Sequence, residues 1–237
     1  MFDRIARIYD RLNSVMTAGL HHQWRRRAAD LAEAPVGGRV LDVATGTGDL
    51  AFELARRVGL DGGVVAIDFS ERMLSVARDK AAARAQAHGA AGMGEVRFEQ
   101  ANALALPYTD DEFDAATIAF GARNLADLQC GLRELARVVR PGGRVVVLEM
   151  TTPTRPPLSL FFRLWFDRIV PLLGRAAGDP EAYTYLPSSV RRFPDPETLA
   201  ATMSQCGLVQ VRYLLTAGGI IALHVGTAQP RVRQEPS

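Results

Sequence analysis

Short apolar runs, each carrying one carboxylate at or near its end, punctuate the first half of this chain: Arg39 to Val43 (RVLDV) and Val64 to Asp68 (VVAID). Each is too short for a helix and rich in β-branched residues, so each predicts a strand. Between them, Gly48 to Val58 spaces its apolar residues at helical intervals, and Ser70 to Ala87 does the same behind a Ser70-Glu71 cap. A Gly/Ala-rich loop, Gly89 to Gly94, leads to a strand at Val96 to Gln100. The pattern continues with a strand at Phe113 to Phe120, a helix at Asp127 to Val139, and a strand at Arg144 to Leu148 after the turn Pro141-Gly142-Gly143. Strand and helix alternating over short links predict a parallel sheet covered on both faces.

The two ends of the chain break this rhythm. Phe2 to Ala34 reads as helical, interrupted around Thr17 to Leu20. Beyond Glu149, prolines at 153, 156 and 157 precede an apolar, aromatic stretch from Leu158 to Leu173. A helix at Asp195 to Cys206 is followed by strands at Val209 to Thr216 and Ile220 to Gly226. Ala217-Gly218-Gly219 is a link short enough for a hairpin. An antiparallel pair closing the sheet sets this pattern apart from a plain dinucleotide-binding domain.

Size and composition narrow the reading. At 237 residues and 48% apolar content the chain can bury the core of one large α/β domain. Its 28 basic and 26 acidic residues leave a net charge of only +2, which argues against a nucleic-acid-binding arm and for no nucleic-acid partner. Cys130 and Cys206 lack the spacing of a metal site or a disulfide framework, so they are expected to be reduced, and no metal is expected. The N-terminus MFDRIARIYDRL has no apolar core of a secretory signal, which points to a cytoplasmic protein. Lys80 is the only lysine. It falls on a predicted helix, far from the glycine turn described next.

Candidate chemistry concentrates at Arg39 to Leu50 (RVLDVATGTGDL), where a strand passes through a glycine-punctuated turn into a helix. Gly46 and Gly48 let the backbone turn sharply and approach a ligand. Asp68, ending the next strand, can accept both hydroxyls of a ribose, with Phe69 beside it. Gly46 to Ala51 fits G-x-G-x-x-[G/A] with an acid about 20 residues on, so a dinucleotide site and an NAD-dependent oxidoreductase are permitted. Asp42 favours another guest. A carboxylate at the strand tip would repel a pyrophosphate but suits S-adenosylmethionine, which is cationic and has no phosphate. The alternative for Asp42 is that it ties down its own loop by hydrogen bonds. Against the oxidoreductase also stands the lack of a tyrosine four residues before Lys80.

Several separated motifs carry a resemblance over nearly the whole chain. Tyr9-Asp10-x-x-Asn13 with Thr17 and His21-x-x-Trp24 form one; Arg137 to Gly143 ending in Glu149-Met150-Thr151 form a second. Phe120-Gly121-x-Arg123-Asn124, Tyr183-x-Tyr185-Leu186, and Leu215 to Gly218 with Ala222-Leu223-His224 add to them. With these the chain resembles the ubiquinone and menaquinone biosynthesis C-methyltransferase family. Arg140 and Thr151 stand where the family usually has Lys and Ser, and Ala119 where many relatives have a Ser whose hydroxyl contact is lost here.

The resemblance implies a class I S-adenosylmethionine-dependent methyltransferase architecture, Rossmann-like: a seven-stranded, mostly parallel sheet with an antiparallel terminal hairpin, N-terminal helices and a helical insertion. Residues 1–228 would form a single methyltransferase domain, with 1–34 as a helical lid and 151–194 as the insertion; residues 229–237 read as a disordered tail. It implies S-adenosyl-L-methionine as cofactor, with contacts at Thr47, Asp68 and the pair Asn102-Ala103. It also implies a demethylated prenyl quinol as substrate, demethylmenaquinol or a ubiquinol precursor. A quinol ring carbon attacks only when a neighbouring hydroxyl loses its proton, so polar groups are needed at the carboxyl ends of the strands. Arg123 and Asn124 are the leading pair, Arg123 stabilising phenolate charge or pairing with Asp127. Tyr9 from the lid, His21 and His224 are further candidates, with a structural hydrogen-bonding residue as the alternative for His224. The stretch Pro157 to Leu173 is too interrupted to span a bilayer. It would meet the inner membrane face as a peripheral contact, the isoprenoid tail, its own sheet, or a partner subunit in a homodimer.

Overall fold

A computed structural model describes residues 17, 19–88, 92–153, 156, 158–164, 168 and 187–230. Tyr9, Asp10 and Asn13, Tyr183 to Leu186, and most of Pro157 to Leu173 lie outside the described residues. Helix α1 (His21–Leu31) precedes β1 (Arg39–Val43), α2 (Asp49–Val58), β2 (Gly63–Asp68), α3 (Glu71–His88) and β3 (Glu95–Gln100). Then come β4 (Phe113–Ala119), a 3-10 turn (Ala122–Asn124), α4 (Leu128–Val138) and β5 (Val139–Met150). The chain continues through α5 (Leu158–Leu164), α6 (Pro196–Gln205), β6 (Leu208–Thr216) and β7 (Ile221–Ala228).

The strands form one seven-stranded sheet in the order β3-β2-β1-β4-β5-β7-β6. The first five in that order run parallel, and β7 inserts antiparallel between β5 and β6. Successive side chains of a strand face opposite ways. Leu41, Val43, Ile67, Ile118 and Val147 therefore share one core with Leu132 and Leu135 of α4 and Leu199 of α6. Val40, Ala66, Ala115 and Val146 share the other with Trp24 and Ala28 of α1 and Leu54 of α2. Being buried on both faces explains why β1, β4 and β5 read as nearly continuous apolar runs.

Helix starts follow local chemistry. Asp127 accepts from Cys130 N to cap α4, and Asp195 accepts from Thr198 N to cap α6, with Pro196 in the first turn. Asp127 is thus a cap and not the partner of Arg123. The expected turn at Pro141-Gly142-Gly143 is absorbed into β5 as a bulge. Phe113 pairs with Val139 and Ala115 already with Arg144. A Cβ on Gly143 would lie 2.4 Å from Asp114 O, so the bulge closes only around glycine. Helix α1 is tied to the body: Arg57 of α2 donates to Asp30 Oδ1 at 2.7 Å, and Arg144 of β5 pairs with Glu33 at 2.6 Å.

The sheet's winding reverses between β1 and β4, neighbours that are three strands apart in sequence. A crevice opens at the carboxyl ends of two such strands, because their following links leave in opposite directions. Among the described residues, no helix is long and apolar enough to cross a membrane.

Candidate functional site

A cavity of about 440 Å³ occupies that crevice. Its walls come from Val43, Ala44 and Gly46 after β1, and from Ile67, Asp68, Phe69 and Met73 at the β2–α3 junction. Asn102, Ala103 and Leu104 follow β3, and Ala119 to Gly121 with Asn124 follow β4. The turn that forms its floor is left-handed at Ala44 (φ 52°), Gly46 (φ 57°) and Gly48 (φ 83°). A Cβ on Gly46 would meet nothing within 4 Å, so this glycine leaves open room where a ligand can approach the backbone. Gly48 has another reason: a Cβ there would lie 3.0 Å from the Phe98 ring.

Asp68 holds the turn to β2. Its Oδ2 accepts from Gly46 N at 2.8 Å and its Oδ1 from Ser70 N at 2.9 Å. Two amide donors fix the carboxylate's direction, and each oxygen retains lone-pair capacity for a ribose hydroxyl. Phe69, 78% exposed, stands at the cavity mouth. Asn102 does both things open to it: Oδ1 accepts from Leu104 N at 3.0 Å, tying its own turn, while the residue lines the cavity. Gly46, Asp68, Phe69, Asn102 and Ala103 thus meet on one wall. Asp42, Thr47 and Gly48 are buried behind it.

Asp42 takes the alternative assigned to it above. Its Oδ2 accepts from Thr45 Oγ1 at 2.6 Å and its Oδ1 from Thr117 Oγ1 at 2.7 Å, so both oxygens are engaged by side chains of the protein. Burial pushes its pKa up to about 6, against the lowering effect of those two hydroxyls and of Arg25. The direct repulsion of a pyrophosphate expected from Asp42 therefore does not arise; the acid at the start of α2 is Asp49, which is paired with Lys80.

Lys80 overturns its expectation. Its Nζ donates to Asp49 Oδ1 at 2.5 Å and to Thr47 Oγ1 at 3.1 Å, so it grips the turn from which sequence placed it far away. The Lys80 and Arg25 charges hold the Asp49 carboxyl below its ordinary range despite its burial. Arg25 of α1 lies 3.9 Å from Asp49, and its guanidinium stands 5.5 Å from the Phe120 ring centroid.

Beyond β4, Asn124 reaches the cavity and Arg123 turns elsewhere. Arg123 Nη1 donates to Glu149 Oε1 at 2.5 Å and to Phe120 O at 2.8 Å. Both side chains of this pair are buried, at 7% and 1% exposure. Arg123 therefore clamps the 3-10 turn to the end of β5, a contact that differs from both the substrate-facing role and the Asp127 pairing. Glu149 stands in one of the sequence motifs without a role assigned to it, although it sits as Asp42 and Asp68 do, a lone acid closing an apolar run.

His21 is buried in the α1 packing, its Nδ1 2.8 Å from Thr17 Oγ1. His224 in β7 donates from Nε2 to Pro196 O at 2.9 Å, and burial lowers its pKa. Both histidines sit as packing residues. Ligand atoms of His21, His22 and Asp49 lie within 4.8 Å of one another, yet Lys80 and Arg25 already neutralise Asp49, so a metal ion would meet cations there. Cys130 and Cys206 are free thiols.

The donor set suits S-adenosylmethionine: a fixed carboxylate for the ribose, an amide and apolar walls for an adenine, and an open glycine floor. A sequence model of the ubiE/COQ5 methyltransferase family matches residues 1–228. The demethylmenaquinone methyltransferase of Thermus thermophilus is 49% identical over 227 residues, covering 95% of this chain and 99% of that one. The ubiquinone/menaquinone biosynthesis C-methyltransferase UbiE of Hahella chejuensis is 42% identical over 228 residues, covering 95% and 89%. Among solved structures, a SAM-dependent methyltransferase from Thermotoga maritima superposes with a TM-score of 0.65 at 18% identity, covering 96% and 98%, and so shares the fold. The motifs at both ends of the chain and the sheet between them thus have one source: this chain belongs to the ubiE/COQ5 methyltransferase family.

Proposed function

We propose that the protein methylates a ring carbon of a demethylated prenyl quinol, with demethylmenaquinol as the acceptor. The observation that carries this reading is family identity from end to end, together with a cavity at the β1–β4 reversal. The Thermus thermophilus relative, matched over 99% of its length, favours the naphthoquinol. The Hahella chejuensis relative keeps a benzoquinol precursor as the second reading. An oxidoreductase has no place in this family.

S-adenosylmethionine would supply an electrophilic methyl group on sulfur. The quinol ring carbon would take that methyl group once a neighbouring hydroxyl had given its proton to solvent, and the carbon's own proton would follow to solvent to restore aromaticity. Asp68 would hold the ribose hydroxyls, and Asn102 Nδ2 with the apolar Ile67, Phe69 and Met73 the adenine. Thr47, through Lys80, would fix the turn, and Ala103 the wall beside it. Asn124 would meet a quinol hydroxyl and orient the ring; in-line placement at about 3–3.5 Å can supply roughly 7–11 kcal/mol. Arg123 acts through Asn124, because its charge is shared with Glu149. Tyr9 is proposed to complete the substrate side.

Purified protein given methyl-labelled cofactor and either demethylated quinol decides the acceptor. Label in the naphthoquinol at several-fold higher kcat/KM is expected. Transfer to the benzoquinol alone would move the assignment, and transfer to neither would remove it.

A further inference from the structure

Arg25 sits one turn into α1 and is 9% exposed, yet its Nη1 finds no hydrogen-bond partner among the described residues. A buried guanidinium carries five donors, and leaving one unmet is costly unless a ligand completes it. Its contact with Asp49 at 3.9 Å is beyond hydrogen-bond reach, and Asp49 has Lys80 closer, at 2.5 Å. Lys80 is itself taken up by Asp49 and Thr47. Arg25 is therefore the cation of this cluster with bonding capacity to spare.

Its position is informative. Asp49 opens α2 directly after the Gly46–Gly48 turn, and Phe120, over which the guanidinium lies at 5.5 Å, lines the cavity. Trp24 packs on the same ring, with centroids 6.4 Å apart. Helix α2 has no side-chain cap at Gly48, so its positive end adds to the local field. A compact, planar anion fits a site with a fork of donors beside a helix start.

We propose that Arg25 binds the carboxylate of the cofactor's amino acid tail, a contact that rests on the reading of S-adenosylmethionine as the cavity's guest. That carboxylate is the single anionic group on an otherwise cationic ligand. The adenosine end lies against Asp68 and Asn102, which leaves the tail for the β1 turn and its neighbours. Arg25 would thus recognise the tail while the strand ends recognise the nucleoside.

Calorimetry with S-adenosylmethionine, its decarboxylated form and 5′-methylthioadenosine tests this on the intact chain. Wild type is expected to bind S-adenosylmethionine about 10- to 100-fold tighter than the decarboxylated form, the size of a charge-assisted contact. Arg25→Ala should bring the two within about threefold while leaving methylthioadenosine affinity unchanged, and Arg25→Lys should restore part of the gap. A wild-type ratio near one, or a full ratio kept in Arg25→Ala, would overturn the assignment, and the wild-type ratio does so even if the variant fails to fold. Failure of wild type to bind any of the three ligands would overturn the cofactor reading as well, so the two failures are distinct.

Discussion

Asp42 and Asp68 are carboxylates on adjacent strands, and their surroundings give them opposite work. Asp68 takes two amide donors and faces the cavity; Asp42 takes two threonine hydroxyls and faces inward. A buried acid whose pKa is raised from 3.8 to about 6 binds its proton more tightly in the folded than in the unfolded state. Folded stability contributed by this group therefore falls as pH climbs from about 4 to about 6, by at most about 3 kcal/mol, and stays lower above that. Asp42→Asn keeps the shape, and the rotatable hydroxyls of Thr45 and Thr117 can serve an amide. The variant should lose that part of the pH slope and be the more stable protein at pH 7. Urea titrations of both proteins at pH 4 and pH 7 check this, since the other carboxylates cancel in the difference; parallel slopes would contradict it. Asp68→Ala should act on the ligand instead, weakening cofactor binding by about tenfold or more, because it removes charge-assisted bonds to the ribose.

At the scale of elements, the Arg123–Glu149 pair joins the 3-10 turn after β4 to the end of β5, and the carboxylate also accepts from Arg123 N. Arg123→Ala leaves Glu149 buried and uncompensated, so a loss of about 3–5 kcal/mol is expected by chemical denaturation. Cofactor affinity should suffer less than in Asp68→Ala, and turnover more, as Asn124 loses its support. Gly121 makes the same junction tight: its added Cβ would lie 2.4 Å from Ala44 Cβ, so the β4 turn and the cofactor turn are packed against each other. Sequence periodicity was enough to find the seven strands and to pair the last two, since apolar alternation and turn chemistry are local. It could not find which side chains meet. Asp42 faces Thr117 because β1 and β4 pair in that register, across 75 residues of chain. Lys80 was expected far from the turn because helix α3 runs back from it; helix position alone says nothing of how α3 lies across α2, which brings the Lys80 side chain to Asp49 and Arg84 over the Phe52 ring. Glu149 was visible as an acid closing an apolar run, but its partner was 26 residues away. The bulge at Gly142 and Gly143 looked like a turn because a positive φ at Gly142 is common to both.

For the whole molecule, the reversal of strand order makes one cavity out of segments distant in sequence, from Val43 to Ala126. A ligand seated there contacts the ends of β1, β2, β3 and β4 at once, and none of those contacts exists in the unfolded chain. Binding must therefore raise the stability of the fold as a unit, by an amount set only by concentration and affinity. At about a hundredfold excess over Kd, S-adenosylhomocysteine should add about 2.7 kcal/mol, which for a chain of this size is a rise in Tm of about 5–10 °C. NADH at the same concentration should give no rise. Its pyrophosphate would have to lie at the start of α2, where Lys80 is already taken up by Asp49 and Thr47, which leaves Arg25 alone to meet two phosphate charges. Thermal unfolding followed by calorimetry with each ligand separates the cases. A rise with NADH and none with S-adenosylhomocysteine would mean that Lys80 releases Asp49 to meet phosphate, and the charge arrangement around the glycine turn would then have to be read in the opposite sense.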